Sequence, residues 1–140
     1  MSKKPSSSAP FVFLVLVSIV AFASLAVAAG PLAEGKWTKK TASISGRWSI
    51  VEEGGSRFLV LSDDFKTKKA PDLKLFLSSK DLAAVDGSNA PRHAVLIAKL
   101  KSARGGQRYP IPGDIDLDEH STLLLHCEKY EKLWGGATIR

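Results

Sequence analysis

Cys127 is the only cysteine of the chain, and it stands beside His126 in the stretch LHCEKY. Thiols and imidazoles serve nucleophilic, redox and metal chemistry. With the two other histidines, His93 and His120, the pair admits a reactive thiol, a ligand set for a metal or haem, or one half of a disulfide to another chain. Covalent c-type haem needs two cysteines ahead of a histidine, and this chain has one cysteine. A blue-copper centre needs two histidines, a cysteine and a weak axial ligand. The histidine count suffices, but the only methionine is Met1 and no histidine follows Cys127, so the pattern disfavours copper. A redox cycle between two cysteines of the same chain is impossible. A one-cysteine cycle through sulfenic acid or a mixed disulfide with a partner is left, and it requires an exposed sulfur held as thiolate. Lys129 and Lys132 are the nearby positive charges.

The backbone that carries the pair narrows these chemistries. If residues 122–128 are extended, Leu123, Leu125 and Cys127 point one way while Leu124, His126 and Glu128 point the other. His126 then looks outward and Cys127 inward, which argues against a joint metal site or a thiolate–imidazole pair. On that placement the cysteine is a small hydrophobe in a row of leucines, and free cysteine is among the most buried residue types.

The carboxylates form two groups. Asp63 and Asp64 end a strand before Phe65, and Asp114, Asp116 and Asp118 alternate with Ile115 and Leu117. An extended segment would line the latter three along one face, but calcium needs oxygens converging from a curved loop, so a solvated face is the expectation. No GxSxG, phosphate loop or HExxH occurs, and nothing in the spacing of serines and histidines selects a triad. No catalytic set is assigned. Trp37, Trp48 and Trp134 are expected to pack in the core or its rim.

From Ser43 onward the chain alternates with period two. Ile44, Gly46, Trp48 and Ile50 interleave with polar residues, and Glu53, Gly54 and Gly55 turn the chain toward RFLVLS, which reads as a hairpin. In DLKLFLS, Leu73, Leu75 and Leu77 share one face, predicting a strand with one buried side. Residues 79–92 form the longest loop, followed by the strand AVLIAKLK. Pro110 and Pro112 in QRYPIP confine that segment to a sheet edge or a strand end, because neither has an N–H to donate. With STLLLHCEKY and the terminal GATIR, roughly seven or eight short strands result. The expected fold class is all-β, a single antiparallel β-sandwich or small barrel.

Ahead of this domain, Lys3 and Lys4 precede FVFLVLVSIVAFASLAVAA, an uncharged stretch of 19 residues ending in small residues. That is the layout of a secretory signal over residues 1–28, and it is also long enough for an uncleaved N-terminal anchor helix over residues 11–29. Either outcome predicts a periplasmic or extracellular domain, tethered to the membrane in the second case. Residues 29–42 read as a polar leader and residues 43–140 as the domain. Removing the signal leaves 18 basic and 14 acidic residues, a mildly basic and mixed surface that does not suggest nucleic acid.

The stretches LSDDF, APDLKLFLS and GGQRYPIPGDIDLDEHSTLLLHCEKYEKLWGGATI resemble the DM-thirteen domain family, an electron-transfer domain of exported and membrane-tethered proteins. The resemblance covers Ser43 to Ile139 and rests on Asp64, Phe65, Pro71 and Asp72, then on Tyr109, Pro110 and Pro112, Asp116 and Leu117, Cys127, Tyr130, Gly135 and Ala137. It implies that Cys127 is the position of the family's proposed redox cysteine. His126 stands where many members carry an aromatic. The family's domain is joined elsewhere to haem-binding modules, so the resemblance implies an accessory redox module without turnover of its own. Any haem or metal would come through a partner, another exported or membrane protein, or through a cysteine site. The alternative is a non-enzymatic binding module in which Cys127 is packing.

Overall fold

The computed structural model describes residues 2–6, 10 and 30–140, so the expected signal or anchor helix over residues 11–29 lies outside the described residues. Eleven strands follow in chain order: β1 (Ala33–Lys36), β2 (Thr38–Lys39), β3 (Ile44–Ser45), β4 (Arg47–Glu53), β5 (Ser56–Leu61), β6 (Lys66–Thr67), β7 (Leu73–Ser78), β8 (Ala94–Lys99), β9 (Gln107–Ile111), β10 (Thr122–Cys127) and β11 (Lys132–Thr138). Only β2, β3 and β6 are as short as two residues. The other elements among the described residues are short 3-10 turns. All strand pairings are antiparallel, in a four-stranded sheet ordered β1-β4-β5-β9, a five-stranded sheet ordered β2-β11-β10-β7-β8, and the small pair β3-β6. The all-β expectation holds, and no sheet closes into a barrel.

Period two explains how the two large sheets share a core. Trp48 and Ile50 on β4, Leu59 and Leu61 on β5, and Tyr109 and Ile111 on β9 meet Leu73, Leu75 and Leu77 on β7 and Leu123, Leu125 and Cys127 on β10. Each fully buried leucine or isoleucine in this layer stabilises the fold by about 1.5–3 kcal/mol relative to exposure. The hairpin of β4 and β5 turns through Gly54 and Gly55 at φ 57° and 79°, the positive pair that a tight two-residue turn requires. β9 is an edge strand, as its prolines demand, with Pro110 opposite Phe58.

Two expectations are corrected. The segment 29–42 is not merely a leader: β1 pairs with β4, β2 pairs with β11, and Trp37 between them is buried. The polar residues there face solvent from sheet edges, so their composition hides strand structure. β7 also does not have one wet side. Phe76 and Ser78 are buried too, because residues 79–93 fold back over the outer face of β7 and β10. Two 3-10 turns, Leu82–Ala84 and Ala90–His93, bring Leu82, Val85 and Ala90 onto Phe76, Leu124 and Leu133 as a second apolar layer. β10 is therefore buried along its whole length, which is why it reads as an almost unbroken apolar run.

Candidate functional site

Cys127 closes β10, with Leu73 of β7 and Lys132 of β11 as its Cα partners. The alternation predicted for this strand is present. Cys127 lies in the main core with Leu123 and Leu125, while Leu124 joins the second layer on the opposite face. The sulfur has 0% exposure and no disulfide partner. Lys129 and Lys132 are both exposed, whereas the thiol they follow or pair with is sealed among apolar side chains.

His126 points away from Cys127, as predicted, but it does not look into solvent. It is 1% exposed, because the 79–93 segment covers that face. Its Nε2 lies 2.7 Å from the carbonyl oxygen of Gly87, so Nε2 carries the proton and donates. Nδ1 is buried without a partner, and the ring meets Phe76 edge to face at 6.2 Å. The approach of the covering segment is close enough that a Cβ on Gly87 would run into the carbonyl oxygen of Glu131, which itself adopts φ 48° in the β10–β11 turn. His126 thus anchors a loop rather than a reaction. His93 and His120 lie elsewhere, the first at the end of the 3-10 turn before β8 and the second bonded through Nδ1 to the Asp116 carbonyl at 2.7 Å. Among the described residues no three histidine, cysteine or acidic side chains converge as a metal would require.

Just beyond Cys127, Glu128 shares the ammonium of Lys74 with Asp72, whose Oδ1 is 3.4 Å away. The hydrogen bond to Glu128 is the main reason that the Lys74 pKa is raised, against partial desolvation, with Asp72 adding to it. This surface cluster fastens β10 to β7 at the end where the cysteine sits.

The remaining residues singled out in the sequence are distributed through the fold. Phe65 is buried 6.1 Å from the Trp37 ring, and Asp64 accepts from the Ser62 hydroxyl, whose oxygen takes the Arg47 amide at 2.7 Å. Pro71 is exposed before Asp72. Tyr109 is buried on β9. Its hydroxyl donates to Gln107 Oε1 at 2.5 Å and accepts the Lys101 amide at 2.9 Å. Burial raises its pKa, partly offset by the Lys101 amide. Pro112 accepts the Ile115 amide at 3.1 Å. Tyr130 is exposed at the tip of the β10–β11 turn, and Gly135 is buried where a Cβ would meet Thr38 O at 2.8 Å and Ile44 Cγ2 at 3.0 Å. The three aspartates do not line a strand: residues 117–119 form a 3-10 turn, Asp116 caps it by accepting the Asp118 amide at 2.7 Å, and Asp118 binds Arg140.

Fold and site define a class: an antiparallel all-β module of two sheets around one core, with a single thiol enclosed at the end of a central strand. Residues 36–139 match the protein-family model described as Electron transfer DM13, and the chain belongs to that family. No curated protein and no solved structure matches it.

Proposed function

We propose that the chain is an exported accessory module of electron transfer that works with a protein partner and turns over no substrate of its own. The observation that carries this reading is the family match across nearly the whole described domain. Cys127 is the one thiol available to take part: its thiolate attacks a disulfide of the partner, forming a mixed disulfide while the partner's S–S bond breaks and its second sulfur leaves as thiolate. Its complete enclosure means that such a step requires the end of β10 to open from Leu73 or Lys132 first. Haem or metal, on this reading, belongs to the partner.

The same enclosure favours a second reading, a non-enzymatic binding module in which Cys127 is core packing. One experiment decides between them. The mature protein is treated with a thiol reagent, folded and then denatured, in the presence and absence of a candidate electron-transfer partner. Labelling of the folded chain that rises with partner, and loss of partner reduction in Cys127→Ala, support the redox reading. Labelling only after denaturation, with partner reduction unchanged in the variant, leaves the packing reading.

A further inference from the structure

Among the stretches of the sequence without an acidic residue are 65–71, with Lys66, Lys68 and Lys69, and 87–113, with Arg92, Lys99, Lys101, Arg104 and Arg108. Far apart in the chain, they are brought together in the fold. The backbones of Lys66 and Arg104 pair as an isolated antiparallel bridge, the Thr67 amide donates to Ala103 O at 2.9 Å, the Gly105 amide to Phe65 O at 2.9 Å, and the Leu100 amide to Leu73 O at 2.8 Å. Between them lies a hollow of about 340 Å³, more polar than apolar, lined by Lys69, Lys99, Lys101 and Ser102 with the partly buried Ala70, Leu100 and Ala103 over the buried Leu73. None of these three lysines is in an ion pair among the described residues. Of the carboxylates around it, Asp72 and Glu128 hold Lys74 and Glu53 holds Arg108, while Asp63 lies beside Gly106 and not among the residues that line the hollow.

We infer that this groove between Lys69, Lys99 and Lys101 is the docking surface for an acidic polypeptide segment of a partner protein. Three ammonium groups without a carboxylate partner around a concave polar surface are complementary to carboxylates, Lys101 doing so while its Nζ also donates to Arg108 O at 3.1 Å, and the small apolar patch of Ala70, Leu100 and Ala103 leaves room for one apolar side chain between them. A sugar polymer is less well served, because no aromatic ring lines the hollow for a sugar to stack on: Tyr109, the ring beside Lys101, is buried with Lys101 Nζ 4.8 Å over its centroid. A flat lipid surface does not fill a hollow. The position adds a consequence that rests on the redox reading above: Leu73, in the floor, is the Cα partner of Cys127, so a segment seated here lies over the strand pair that encloses the thiol.

The test uses a fluorescent peptide of repeated Glu-Glu-Leu, a heparin oligosaccharide and phosphatidylserine vesicles, each titrated with the domain at low and high salt. The peptide is expected to bind at low salt, and the triple variant Lys69→Gln/Lys99→Gln/Lys101→Gln to lose about ten-fold in affinity. The variant Lys36→Gln/Lys39→Gln/Lys40→Gln, with the same change of charge elsewhere on the surface, is expected to bind as the parent does. Amide chemical shifts of the unaltered domain should move at 69–73 and 99–103. The inference is overturned if the peptide does not bind, if both triple variants lose equally, if the shifts move elsewhere, or if oligosaccharide or vesicles bind and the peptide does not. Binding by Cys127→Ala separates the two proposals: an unchanged affinity keeps the groove whatever becomes of the redox reading.

Discussion

His126 and Gly87 are joined across 39 positions of sequence by a hydrogen bond of 2.7 Å, and this bond fixes the covering segment to the outer face of β10. Leucine at 126 keeps the apolar volume but leaves the Gly87 carbonyl without a donor, at a cost of about 1–3 kcal/mol. Alanine adds a cavity and should cost about 3 kcal/mol or more. Chemical denaturation measures both. Amide exchange should accelerate across 79–93 in His126→Leu while β4 and β5 stay protected; equal loosening of all strands would contradict the anchoring role.

Cys127→Ala and Cys127→Ser should differ in a definite direction. Alanine leaves a small void in the core and is expected to cost about 1 kcal/mol, whereas serine places a hydroxyl among leucines and costs about 1–3 kcal/mol unless it finds an acceptor. Melting curves of the two proteins give the order. Serine as the milder change would mean that the sulfur site is more polar than its surroundings of Leu73, Leu125 and Trp134 indicate.

How much of this was legible in the sequence depends on which side of each strand was being read. The row Leu123, Leu125, Cys127 and the edge position of Tyr109 and Pro110 follow from alternation and from proline's missing N–H. The outer face of β10 does not. Its cover comes from a loop whose polar residues turn outward while Leu82, Val85 and Ala90 turn in, a pattern too irregular to register as either period. The run TLLLHC was the available signal, since a strand apolar on successive residues must be covered on both faces. Likewise β1 and β2 were hidden because short edge strands with exposed lysines have the composition of a linker.

Tyr109 makes the domain sensitive to alkali. Its folded pKa is raised above 10.0 by burial, so its contribution to stability is fully present below that unfolded value and is lost as pH rises through the folded one. Tyr109→Phe is expected to lose about 1 kcal/mol near neutrality, from the orphaned Lys101 amide, since Gln107 Oε1 keeps the Ser102 amide, and to show a flatter alkaline limb than the parent. Urea midpoints as a function of pH would reveal it; parallel alkaline limbs would mean that another group governs the loss.

At the acid side the covering segment should loosen first. Asp86 accepts the Ser88 hydroxyl at 2.7 Å and the Ser88 and Asn89 amides at 2.8 and 3.0 Å, and these bonds, the hydroxyl foremost, lower its pKa below 3.8. Stability from this turn is present above pH 3.8 and is lost as pH falls through the folded value. Proteolysis between residues 79 and 93 on acidification is expected to begin at a higher pH in Asp86→Ala than in the parent. Cleavage at the same pH in both would remove Asp86 from the account.

The enclosed sulfur also makes the molecule its own chronometer. With no second cysteine to compete, any alkylation counts one kind of event, the excursion that bares the end of β10. If its rate responds weakly to denaturant, the excursion is a local breathing of the terminal hairpin. A response as steep as that of complete unfolding would instead tie the thiol to the whole cooperative unit.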